Sequence, residues 1–175
     1  MRFLLFVLLC LNLTPPVWAE ASRNFDGAND NVSFGNNLDV TTNDVSWCAW
    51  VNLTEDAKAD TIAGKKNSAG GTDAGYHIRQ ATGDQLNCRA GDGAQEATIA
   101  STDLPDGSWQ FVCCTWNATT ETVTSYLNVS TTASNTTANV DSLTTTSSFL
   151  SGEAGAGTAD ATGLIAYVGV YLSTV

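Results

Sequence analysis

The stretch DGSWQFVCCTWNATT, residues 106–120, sets two adjacent cysteines inside a run of aromatic and aliphatic residues. In an extended strand, neighbouring side chains point to opposite faces, so Cys113 and Cys114 cannot share one environment. The odd positions are Trp109, Phe111, Cys113 and Thr115; the even ones are Gln110, Val112, Cys114 and Trp116. A second stretch, DVSWCAWVNL at 44–53, sorts more cleanly. Val45, Trp47, Ala49 and Val51 form a core set, whereas Ser46, Cys48 and Trp50 are mixed. A two-sheet sandwich gives each sheet one core face and one outer face, which assigns Cys48 to the outside.

Outward from these two segments the same period continues. NVSFG (31–35), GYHIRQ (75–80), QLNCRA (85–90), ETVTSYLNV (121–129) and GLIAYVGVYL (163–172) read as strands, with the two segments above. TGD at 82–84, GDG at 91–93 and LPDG at 104–107 are turn signals between them. No window after the N-terminal segment carries a helical period. Residues 130–148 are dominated by Ser and Thr. They read as one or two polar strands joined by loops, since Thr suits a half-exposed pleated surface. Many short strands and almost no helix predict an all-β sandwich or barrel.

The chain opens with MRFLLFVLLCLNLTPPVWAEAS. A basic start, an apolar core from Phe3 to Leu13 and a small residue at Ala19 predict a signal peptide over 1–19, with cleavage after Ala19 or Ala21. The remainder, 20–175, is expected to form one exported domain without a membrane span. Loss of Arg2 takes the formal net charge from −11 to −12. Only Lys65 and Lys66 are adjacent basic residues, which argues against nucleic acid as a partner. An oxidising compartment permits disulfides.

In order along the chain, FDGANDNV (25–32), CAWV (48–51), WQFVCCTWN (109–117) and GLIAYVGVY (163–171) resemble motifs of the concanavalin A-like superfamily, in its laminin-G-like and pentraxin-type members. The resemblance covers residues 25 to 172 and implies an antiparallel jelly roll of two sheets. It also implies a disulfide between Cys48 and Cys113, which the parity reading allows. Cys114 then points inward with Val112 and Trp116, and Cys88 alternates with Leu86 and Ala90. Four cysteines allow three pairings, so Cys88 and Cys114 are read as a second bridge or as buried thiols, with four free thiols as the remaining alternative.

Hydrolases that share this fold carry Glu-x-Asp-x-Glu on a strand, as the resemblance implies. Glu-x-Asp occurs nowhere in this chain, and the lone His77 has no nucleophile or metal-ligand spacing around it. The expectation is a non-enzyme, with His77 at the surface or rim. Pentraxin resemblance implies calcium, held here by Asp73 and Glu153 at matching positions, although Ala74, Ala154 and Gly155 replace further ligands. Asp26, Asp30 and Asp92 read instead as turn formers. Sequons stand at Asn31, Asn52, Asn117, Asn128 and Asn135. Asn128-Val129 replaces the family's Asn-Gly or Asp-Gly hairpin turn, which leaves the turn type open.

Trp50, Trp109 and Phe111 fall on the outer parity class beside Cys48 and Cys113. Grouped exposed aromatics stack on sugar rings or bury a partner's apolar patch. The expected function is a secreted, lectin-like module that binds an extracellular glycan or glycoprotein without catalysis, with homo-oligomerisation as a route to avidity. The alternatives are a structural or adhesion subunit of a cell surface or virion, and a degenerate hydrolase.

Overall fold

Residues that alternate between apolar and polar bury one face of a strand, and the described residues form twelve strands. The computed structural model describes residues 22–28, 30–54, 60–67, 73–137, 139–152 and 161–173. The expected signal peptide lies outside them. The first sheet runs β1 (Arg23–Asp26), β12 (Thr162–Ser173), β3 (Asp44–Leu53), β8 (Gln110–Asn117), β9 (Thr122–Leu127) and β10 (Ser130–Thr136). The second runs β2 (Val32–Ser33), β11 (Leu150–Ser151), β4 (Asp60–Asn67), β5 (Ala74–Ala81), β6 (Gln85–Asp92) and β7 (Glu96–Asp103). All pairings are antiparallel, and no helix occurs among the described residues. This is the two-sheet jelly-roll sandwich that the resemblance implied.

The core is filled by the parity class assigned to it. β3 buries Val45, Trp47, Ala49, Val51 and Leu53, and β8 buries Val112, Cys114 and Trp116. The facing sheet contributes Tyr76, Ile78, Leu86, Cys88, Ala90, Ala97 and Ile99. Trp47 meets Tyr76 across the sandwich with ring centroids 5.1 Å apart. Burying one such ring contributes roughly 3 kcal/mol.

The adjacent cysteines take separate partners. Cys48 lies directly opposite Cys113, and the two are bridged at a Cα separation of 4.0 Å. Cys114 reaches through the core to Cys88 on the other sheet, with Cα atoms 5.9 Å apart. The bridges close segments of 65 and 26 residues. In the chain-entropy account each stabilises by about 3.5 to 4.5 kcal/mol, less than additively because the closed segments overlap.

One register break decides what the outer face carries. β12 has a bulge between Ile165 and Tyr167: Ile165 opposes Val51 and is buried, whereas Tyr167 opposes Trp50. Strict alternation would put both on one side. The extra residue, Ala166, turns Tyr167 and Tyr171 outward.

The β9–β10 hairpin turns on Asn128 and Val129, between the paired residues Leu127 and Ser130. Both have positive φ, 49° and 66°, which is the geometry of a type I′ turn. Asn tolerates it; Val does not, and its side chain is 83% exposed with no packing to compensate. Val129→Gly is therefore expected to stabilise the domain by about 1 kcal/mol, seen as a Tm rise of ~2–4 °C on thermal unfolding.

Candidate functional site

Cross-strand pairing sorts the outer face of the first sheet into rows. Tyr167, Trp50 and Phe111 stand side by side on β12, β3 and β8. The next row is Gly169, Cys48, Cys113 and Tyr126, and the third is Tyr171, Ser46, Thr115 and Thr124. The face thus changes from aromatic at one end to hydroxyl-bearing at the other. Trp50 is 42% exposed and meets Phe111 at a centroid distance of 5.5 Å. Opposite Cys48, a Cβ at Gly169 would lie 2.6 Å from the Tyr167 hydroxyl, so a larger residue there would push the Tyr167 ring aside. Tyr167 folds over that gap and shares a hydrogen bond with the Tyr171 hydroxyl. Although on the outer face, the bridged Cys48 and Cys113 are buried.

The hydroxyl end opens into a groove of about 460 Å³, lined among others by Asp44, Ser46, Thr115, Asn117 and Tyr171. Asp44 is fixed there, accepting hydrogen bonds from Asn117 Nδ2 at 3.3 Å and the Ala118 amide at 2.8 Å. At the aromatic end Asn128 clamps the start of β8. Its Oδ1 accepts from the Phe111 amide at 2.9 Å, and its own amide donates to the Phe111 carbonyl at 2.8 Å. A half-exposed indole beside fixed polar groups is an arrangement that recognises flat, partly apolar and hydroxylated surfaces.

Trp50 and Phe111 are brought together as their parity required. Trp109 is half-buried just before β8, and the ring pairs among the described residues do not include it. Tyr167, absent from the sequence reading, completes the aromatic end, and Tyr171, also absent from it, stands at the hydroxyl end and lines the groove. The bulge that exposes them leaves no compositional mark.

The outer face of the second sheet is charged. Lys66 on β4, His77 and Arg79 on β5, Asn87 and Arg89 on β6 and Glu96 on β7 share it with Asp73. Arg89 Nη1 reaches Glu96 Oε1 at 3.1 Å and Asp73 Oδ2 at 3.5 Å, and Lys66 Nζ lies 4.0 Å from the same Asp73 oxygen. The expected calcium ligand Asp73 is thus surrounded by cationic side chains, a poor fit to a divalent cation. Glu153 lies outside the described residues. Among the described residues no group of three or more His, Cys, Asp or Glu side chains is arranged to hold a metal ion. Asp92 behaves as the turn former expected: its Oδ1 accepts from the Ala94 and Gln95 amides, each at 2.7 Å.

His77 corrects an expectation. It is fully buried rather than at the surface or rim. Its partner across the ladder is Gly64, where a Cβ would come within 2.2 Å of the His77 Cβ and 2.7 Å of its Cα, so the two strands approach too closely there for any side chain. Neither ring nitrogen has a hydrogen-bond partner. Burial, reinforced by Lys66, Arg79 and Arg89, pushes its pKa well below the ordinary value of 6.5.

The profile of a family described as the Concanavalin A-like lectin/glucanases superfamily, of laminin-G type, matches residues 26–174. No curated protein matches the chain. Among solved structures, a native heptameric SAP-like pentraxin from Limulus polyphemus superposes with a TM-score of 0.64 at 13% identity, over 85% of this chain and 74% of that one. Domains LG4-5 of the mouse laminin alpha1 chain give a TM-score of 0.65 at 14% identity, over 87% and 42%. The CBM40 of a Ruminococcus gnavus IT-sialidase, bound to alpha2,3 sialyllactose, gives 0.62 at 10% identity, over 86% and 90%. At these identities the likeness is one of fold.

The buried imidazole has a consequence for stability. Above pH 6.5 His77 is neutral in both folded and unfolded chains. As pH falls below 6.5 the unfolded chain takes up a proton that the folded one refuses, so stability falls, by up to about 1.4 kcal/mol per pH unit, until the lowered folded value is reached. Denaturant titrations at pH 8, 6.5 and 5 should show this slope in the parent chain and its loss in His77→Gln.

Proposed function

The chain belongs to the concanavalin A-like lectin/glucanase superfamily as a laminin-G-type domain, and on that premise we propose that it is a secreted, non-catalytic module binding an extracellular glycan or glycoprotein. The observation that carries this reading is the outer face of the first sheet. Trp50 stands 42% exposed against Phe111 at one end, and at the other end a groove is lined by hydroxyls, an amide and a carboxylate together with Val45, Trp116 and Leu172. An aromatic platform stacks on the apolar face of a pyranose, while Ser46, Thr115 and Asn117 supply hydrogen bonds to ring hydroxyls. The two disulfides and the kinship with extracellular modules support export. Non-catalytic action rests on the missing Glu-x-Asp pair and on the company of a carbohydrate-binding module.

A second reading, an adhesion or assembly subunit of a cell surface or virion, is favoured by Tyr171 and Leu172, which stay 53% and 46% exposed at the end of β12. A protein partner would bury them together with Trp50, and the heptameric pentraxin of the same fold is a precedent for self-assembly.

The proposal includes no metal ion, because the Asp73 carboxylate is engaged by Arg89 and Lys66. Millimolar calcium should accordingly leave Tm unchanged; a rise that disappears in Asp73→Asn would put an ion back into the site. On a glycan array the parent chain is expected to bind saccharides, and Trp50→Ala to weaken the best of them by about 10-fold or more, near 1.4 kcal/mol. Light scattering after size exclusion separates the two readings: a stable oligomer that buries Trp50 and binds no glycan supports assembly instead.

A further inference from the structure

The second sheet carries a set of groups that the fold does not need and that the aromatic face does not use. The chain has 7 basic residues against 18 acidic ones, yet Lys66, Arg79 and Arg89 converge on one outer face. Asn87 organises two of them. Its Oδ1 accepts from Arg79 Nε at 2.9 Å and from Arg89 Nε at 3.1 Å, while its Nδ2 donates to the Ile99 carbonyl at 2.6 Å. Both guanidinium groups are thereby fixed at Nε, with their terminal nitrogens beyond.

The two arginines are used differently. Arg89 is paired with Glu96 and Asp73. Glu96 is further engaged by the Asp73 amide at 2.9 Å and by the Thr98 hydroxyl. Arg79 has no carboxylate within ion-pair distance among the described residues, and its described hydrogen bond is the one to Asn87. Burial and the neighbouring Arg89 act against its charge, and the more distant Asp73 and Glu96 offset this only in part. Beside it lies His77, fully buried, with no hydrogen bond to either ring nitrogen and with Nδ1 3.8 Å from Asp73 Oδ2. Two like charges held side by side destabilise the empty protein, and an anion placed between them relieves the repulsion.

We propose that this face binds a single carboxylate of an acidic sugar, held by the terminal nitrogens of Arg79 with Arg89 and Lys66 around it. A guanidinium offers two parallel N–H donors that match the two oxygens of a carboxylate. Three cations against Asp73 and Glu96 leave one local positive charge, which suits a monoanion. A polyanion is disfavoured, since the chain's net charge of −11 repels it at longer range. The site lies on the opposite sheet from Trp50, so it stands or falls independently of the aromatic platform.

The test is titration calorimetry of the oxidised chain with sialyllactose and with glucuronic acid, against lactose as the neutral control, at low and at physiological salt. Binding of at least one acidic probe, weakened by salt and at least 10-fold stronger than lactose, is expected. Arg79→Gln should lose it 10-fold or more, and Trp50→Ala should retain it. Arg79→Lys keeps the charge without the fork and should also lose most of the affinity; if Arg79→Gln does not fold, that variant gives the answer. No binding of either acid at millimolar concentration, or equal affinity in the folded Arg79 variants, overturns the proposal. If acetate alone competes as well as the sugars, the site reads the carboxylate only, and the assignment to a saccharide is overturned.

Discussion

Strand β8 is held from both of its faces at once. Its neighbours in sequence, Cys113 and Cys114, point in opposite directions because an extended backbone gives them no choice. Cys113 ties β8 to β3 within one sheet, and Cys114 ties it through the core to β6 in the other. The strand is therefore fixed in register and in depth. A slip of one residue would exchange every inward side chain for an outward one and break both bridges together. Trp47 packs on Tyr76 with Cys114 as its ladder partner, so the heaviest inter-sheet contact and the inter-sheet bridge occupy the same layer.

That constraint made much of the fold readable beforehand. Where the period of two is unbroken, as in β3 and β8, the sequence tells inside from outside residue by residue. It fails where something local replaces it. β4 reads DTIAGKKN, without an apolar stripe. It is a strand because its buried Lys65 finds Asp39 at 2.7 Å and Asn36 at 2.7 Å, while Gly64 makes room for His77. Such long-range polar satisfaction leaves no trace in spacing. β7 was missed for a similar reason, since EATIASTD offers only Ile99 as a large apolar anchor.

The site residues divide in the same way. Trp50 and Phe111 could be paired from alternation alone. Tyr167 could not, because the bulge in β12 reverses its direction. The charged face of the second sheet was invisible for another reason: Lys66, Asp73, Arg79, Arg89 and Glu96 are scattered over thirty-one positions and meet only when β4 to β7 are laid side by side. A single histidine in a strand looks like a solvent residue until the glycine opposite it is known. The two outer faces end up with contrasting chemistry, aromatic and hydroxylic on one side, ionic on the other.

The Ser- and Thr-rich β10 borders the first sheet, and β7 borders the second. Asn135 Nδ2 donates to the Thr98 carbonyl at 2.9 Å and Thr137 Oγ1 to the Glu96 carbonyl at 3.2 Å, so these margins are stitched to each other. At the far margins stand β1 and β2, only 4 and 2 residues long. Edges so short, or tied to a neighbour by side-chain hydrogen bonds, are poor templates for an added strand from another molecule, a property that favours display in many copies.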